Sequence, residues 1–107
     1  GMEWLSLTNG DGVSITAIVY PSRGSLDMRP MQRRAARNGN QTIATGLIAG
    51  GDISWISEET NGWPIHASWD NVRYRIELSI GNVTSRDDWN EDDLVALIYA
   101  LAGEAPE

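Results

Sequence analysis

The sequence contains no cysteine, no lysine and no phenylalanine, and it has a single histidine, His66. Without cysteine, a disulfide framework, a thiolate zinc site, an iron–sulfur cluster and a cysteine nucleophile are all excluded. One histidine leaves little for a histidine-based metal site, so we expect no metal and no cofactor. No apolar run approaches the roughly 20 residues of a membrane-spanning helix. Residues 1–5 also lack the features of a signal peptide, so we expect no membrane span and a cytoplasmic location.

The chain of 107 residues has the size of one domain, and 41% of its residues are apolar. We therefore expect residues 1–107 to fold as a single domain around one core. The net charge is −7, and it is divided unevenly along the chain. Residues 23–37 carry five Arg and one acidic residue, whereas residues 38–107 carry twelve acidic residues and three Arg. The use of Arg to the exclusion of Lys is typical of a GC-rich bacterial genome.

Alternation of apolar and polar residues predicts a three-stranded antiparallel meander over residues 52–80. The clearest run is 72–80, where five apolar residues alternate with Arg73, Arg75, Glu77 and Ser79. Because alternate side chains of a strand point to opposite faces, the apolar set faces a core and the polar set faces water. Residues 3–8, 13–20 and 41–49 add strands, so we expect a sheet of five to six strands.

Residues 91–102 carry the start and stop signals of a helix. Asn90 is a favourable N-cap, acidic residues fill the first turn, and Gly103 follows the last turn. One helix cannot bury an apolar stripe alone, so it must lie on the sheet in an α+β fold. We expect the helix stripe Leu94, Leu97, Ile98 and Leu101 to cover Trp55, Trp69, Tyr74, Ile76 and Leu78.

The Arg-rich segment is the first candidate for a binding surface. Residues 28–37 are compatible with a short helix and also with a loop. The negative net charge, and the absence of Lys and of interleaved aromatic residues, argue against a nucleic acid partner. We interpret the segment as a contact for a partner protein or for the acidic face of a second copy, with a solvated loop as the alternative. The candidate residues are Arg29, Arg33, Arg34 and Arg37.

Two of the five Trp residues are the second candidate. Trp55 and Trp69 share the strand face of apolar neighbours, and Trp89 precedes the helix cap, so we assign these three to the core. Trp4 and Trp63 have no such role, and they are candidates for an aromatic binding surface. Scattered exposed apolar residues are common, however, and need no function.

No motif predicts catalysis or a metal site. The acidic residues around Asn90 begin like a calcium-binding loop, but Asp93 stands where that loop needs glycine. We attribute these acids to the helix dipole. His66, Ser68 and Asp70 alternate on one strand, where neighbours on the same face are about 7 Å apart, too far for a catalytic triad. We expect His66 to be exposed.

These observations favour an acidic protein that binds another protein, as a regulatory or immunity-type module, with a homodimer as a further expectation. The alternative is a small-ligand or carbohydrate-binding domain, with weak enzymatic activity at most, that uses Trp4, Trp63 and Tyr74. A concave pocket with two or more Trp and convergent polar groups would favour the alternative. A flat surface with segregated charge would favour protein binding.

Overall fold

The computed structural model describes residues 2–22, 33, 41–58 and 62–103. These residues contain six strands and a C-terminal helix: β1 (Glu3–Thr8), β2 (Ser14–Pro21), β3 (Gln41–Ile48), β4 (Gly51–Glu58), β5 (Pro64–Asp70), β6 (Tyr74–Gly81) and α1 (Glu91–Ala102). The strands form one antiparallel sheet in the order β1-β2-β6-β5-β4-β3. The fold is therefore α+β, and the predicted meander is confirmed as β4–β5–β6. The short helix predicted over 28–37 lies outside the described residues, apart from Arg33.

The sheet order follows from one long-range pairing. β2 lies beside β6, with Ala17 opposite Leu78, and this pairing attaches the first hairpin to the meander. On the other side, β3 pairs with β4 across a tight turn at Ala49 and Gly50, which both have positive φ. Consequently β1 and β3 are the two edge strands, and β6 and β5 lie in the centre.

The core lies on the side of the sheet that α1 covers, which we call the helix side. Leu94 and Ile98 of α1 are fully buried, whereas Leu97 and Leu101 are half-buried. Leu5, Leu7 and Val19 near the β1 edge are also only half-buried, because the single helix does not cover the whole sheet. The buried strand residues on this side are Ile15, Ala17, Ile53, Ala67, Trp69, Ile76, Leu78 and Ile80.

The start of β6 differs from the prediction. Val72 was expected in the strand, but it lies in the β5–β6 turn with a φ of 76° and is 75% exposed. Side chains hold this turn: Asp70 accepts a hydrogen bond from the Val72 N–H, and Asn71 accepts from Arg73 and Tyr74. β6 therefore begins at Tyr74, which is 55% exposed. The expectation that Tyr74 packs beneath the helix is wrong.

The helix start is confirmed in detail. The Asn90 side chain accepts hydrogen bonds from the backbone N–H groups of Asp92 and Asp93, and the Asp93 carboxylate accepts from the Asn90 N–H. This reciprocal capping box fixes the first turn of α1. At the other end, Gly103 adopts the left-handed conformation that favours glycine.

No helix in the described part of the chain is long and apolar enough to cross a membrane.

Candidate functional site

An open groove lies on the outer face of the sheet, opposite α1, where β1, β2 and β6 are neighbours. We call it the outer groove; its volume is about 330 Å³. The register places Trp4 opposite Ile18 and Ile18 opposite Glu77, so these side chains form a row across three strands. Trp4 is 66% exposed, and its ring is therefore accessible to a ligand. The groove is lined by Met2, Trp4, Ile18, Tyr20, Arg75 and Glu77.

The Glu77 carboxylate is held by four neighbouring side chains. The Ser68 hydroxyl donates to Oε2 at 2.5 Å, and the Tyr20 hydroxyl donates to Oε1 at 3.4 Å. His66 Nε2 lies 3.5 Å from Oε2, and Arg75 Nε lies 3.4 Å from Oε1. These contacts come from three strands, so the carboxylate is positioned before any ligand arrives.

Asp70 forms a second acidic centre next to Arg75. Its buried carboxylate accepts hydrogen bonds from the Ser22 hydroxyl at 2.8 and 2.7 Å, and from the Val72 N–H at 2.7 Å. Arg75 Nε lies 3.8 Å from Asp70 Oδ2, so the guanidinium stands between two carboxylates. Within the described part of the chain, the buried Arg75 Nε makes no hydrogen bond, and it has ionic contacts with both carboxylates.

The pKa of Glu77 reflects these contacts. Burial by itself raises the pKa of this carboxyl, but hydrogen bonds from His66 and Ser68 and the charge of Arg75 outweigh burial and hold it below its ordinary value of 4.5. Burial and the Glu77 charge raise the pKa of the Tyr20 phenol. At neutral pH the outer groove therefore presents a carboxylate, a neutral phenol and a guanidinium side by side.

Replacing Glu77 with Gln is expected to change how stability depends on pH. Because the pKa is lower in the folded state, the charge of Glu77 stabilises the fold above about pH 4.5, and this contribution is lost as the pH falls through the folded value. The difference in unfolding free energy between wild type and Glu77→Gln should therefore shrink between about pH 7 and about pH 3 in urea titrations. Glu3→Gln, on the exposed part of β1, is the matched control. A Glu77→Gln difference that stays constant over this range would contradict the prediction.

The residues that the sequence singled out lie in different places. Trp4 forms part of the outer groove, whereas Trp63 is half-buried and packs against the core on the helix side. These two Trp residues therefore do not share a surface. Tyr74 also lies away from the outer groove, beside Leu101 at the end of α1. Of the Arg candidates, Arg33 is exposed, and Arg29, Arg34 and Arg37 lie outside the described residues.

His66 was expected to be exposed, but its side chain is largely buried beside Glu77. The arrangement differs from a catalytic triad, because the Ser68 hydroxyl donates to Glu77 and not to His66. Ser68 therefore is not paired with the imidazole that activates the nucleophile of such a triad.

Sequence reasoning missed most of the groove for a specific reason. Periodicity places Arg75 and Glu77 on the polar face of a strand, which is what the structure shows. However, the contact between Tyr20 and Glu77 joins residues that are 57 positions apart, and no local pattern reports it.

No family model, no curated protein and no solved structure matches the chain. The chemistry of the groove is therefore the basis for assigning a function.

Proposed function

We propose that the protein is a recognition module that binds a partner protein through the outer groove. The observation that carries this proposal is that Trp4, Tyr20 and Arg75 line one groove. Trp, Tyr and Arg are the residue types that contribute most to the binding energy of protein interfaces. Met2 is also exposed beside Trp4, so an apolar and aromatic patch adjoins a charged pair.

The shape of the groove supports a protein partner. Small-molecule sites usually enclose most of their ligand, whereas the outer groove lies on an exposed sheet face at the edge of the molecule. A partner protein covers such a groove with its own surface. Glu77 and Arg75 are already fixed by neighbouring groups, so binding orders few side chains. Occupying a partner's surface in this way is how a regulatory or immunity-type protein acts.

A neutral saccharide is the second candidate ligand, and the composition of the groove favours it. The Trp4 ring offers a flat apolar face, Arg75 offers donors, and Glu77 offers acceptors in the same groove. A sugar ring presents both a CH face and hydroxyl groups, so it can use all three. The carboxylates of Asp70 and Glu77 flank Arg75 and disfavour an anionic ligand.

Affinity capture from a lysate with matched variants tests the proposal. Trp4→Ala is expected to lower the recovery of specifically captured proteins about tenfold or more, as loss of a central aromatic residue does. Tyr74→Ala is the control, because Tyr74 is similarly exposed but lies outside the outer groove. Recovery that is equal for wild type and Trp4→Ala would refute the proposal. Binding to a glycan array that is lost in Trp4→Ala, without any such loss in protein capture, would favour the saccharide instead.

A further inference from the structure

β1 is an edge strand whose free side faces solvent. Among the described residues it pairs with β2 alone, from Glu3 opposite Val19 to Thr8 opposite Ser14. Trp4, Ser6 and Thr8 are all exposed, so the outer face of β1 is accessible.

The backbone of β1 presents unpaired groups along this edge. The Asn9 N–H donates to the Val13 carbonyl at 3.2 Å, next to the pair formed by Thr8 and Ser14. In an antiparallel ladder, pairs that exchange hydrogen bonds alternate with pairs that do not. The backbone N–H and C=O groups of Leu5 and Leu7 therefore form hydrogen bonds with β2. Trp4, Ser6 and Thr8 direct their N–H and C=O groups away from β2, where an added strand can bond to them.

β1 also lacks the features that usually protect an edge. Charged side chains, proline and bulges prevent edge strands from pairing with other chains. The β1 sequence has Glu3 as its one charged residue and no proline, and its pairing with β2 continues without a shift in register. The edge is therefore suited to accept another strand.

A groove adjoins each face of β1 at this edge. Trp4 lines the outer groove. On the helix side, Leu7 lines a second groove of about 340 Å³, together with Ile15, Leu97 and Asp93. Because side chains alternate along a strand, a segment added to β1 would place successive residues in the two grooves. Backbone bonds would then provide affinity, and the grooves would provide specificity.

We propose that an extended segment of the partner protein adds to β1 as a further strand of the sheet, and that this segment is basic with apolar residues at alternate positions. The inference rests on the proposed function, because it names the segment that the recognition module binds. The apolar walls of the helix-side groove take the apolar residues. The net charge of −7, with the carboxylates of Asp70 and Glu77 on both sides of Arg75 at the outer groove, favours Lys and Arg at the alternate positions that face this groove.

Ser6→Pro tests strand addition directly. Proline removes the Ser6 N–H, which points to the free side, and leaves the bonds between β1 and β2 in place. We expect stability close to that of the wild type and at least about a tenfold loss of binding to the partner segment. Ser6→Ala keeps the N–H and should bind like the wild type. On binding, the amides of Trp4, Ser6 and Thr8 should become protected from hydrogen exchange.

The probe is a displayed library of random peptides selected on the wild-type protein. Enriched peptides with alternating apolar and basic residues, whose binding is lost in Ser6→Pro, support the inference. Peptides that bind Ser6→Pro normally but fail to bind Trp4→Ala overturn strand addition and leave the proposed function standing. Peptides that bind both variants as well as the wild type, or a library that yields no binder, overturn both the strand addition and the proposed function. Selection of acidic or helical peptides would show that the segment is not a basic extended strand. A wild-type dimer that dissociates in Ser6→Pro would show that β1 pairs with a second copy of this chain and not with a partner protein.

Discussion

Trp69→Ala is expected to lower the free energy of unfolding by about 3–5 kcal/mol, the range for removing a large buried aromatic side chain. Trp69 is 1% exposed in the centre of the helix side, and its Nε1–H donates a 2.7 Å hydrogen bond to the Ile48 carbonyl. The ring also packs against Gly51 so closely that a Cβ atom there would lie 2.6 Å from it. Alanine would therefore leave a cavity and remove the hydrogen bond to the Ile48 carbonyl.

Urea unfolding measures this loss, and Trp69→Phe is included because the alanine variant loses a large part of the total stability of a small domain. Phenylalanine fills part of the cavity but cannot donate a hydrogen bond to Ile48. The free energy of unfolding of Trp69→Phe should therefore lie between those of Trp69→Ala and the wild type. Trp4→Ala, at an exposed position, should change the stability by less than about 0.5 kcal/mol. A Trp69→Ala loss below about 1 kcal/mol would show that the ring is not a core residue.

Leu94→Ala is expected to cost about 2–5 kcal/mol, because Leu94 is completely buried between α1 and the sheet. Alanine is the best helix former, so the loss reports packing and not helix propensity. Leu97→Ala on the same helix is the comparison; Leu97 is half-buried, and its replacement should cost clearly less. Urea unfolding of the two variants gives the order directly. A larger loss for Leu97 than for Leu94 would mean that α1 is rotated relative to the sheet.

Elements specified by nearby residues could be predicted from the sequence. The alternation in β6 and the punctuation of α1 by Asn90 and Gly103 both depend on neighbours within a few positions. The side of the helix that faces the sheet was also predicted, although Leu94 and Ile98 are fully buried and Leu97 and Leu101 only half-buried. Local physical rules were sufficient for these features.

Features that depend on distant contacts or on competing local bonds could not be predicted. Val72 matches the strand pattern by hydrophobicity, yet hydrogen bonds to Asp70 and Asn71 hold Val72 and Arg73 in a turn before β6. Trp63 precedes β5, where alternation does not indicate a side, and it packs on the core. The outer groove exists because β2 lies beside β6, and periodicity carries no information about which strands become neighbours.

The pairing of β2 with β6 has a consequence for synthesis of the protein. The β1–β2 hairpin leaves the ribosome before β6, the strand that it docks against, which ends only at Gly81. Domains begin to fold during translation, and pairings over long sequence separations form slowly. Until β6 arrives, both sides of the hairpin are open to pairing with other nascent chains. The hairpin therefore has no docking strand until β6 has been made, and its open edges favour aggregation during that interval.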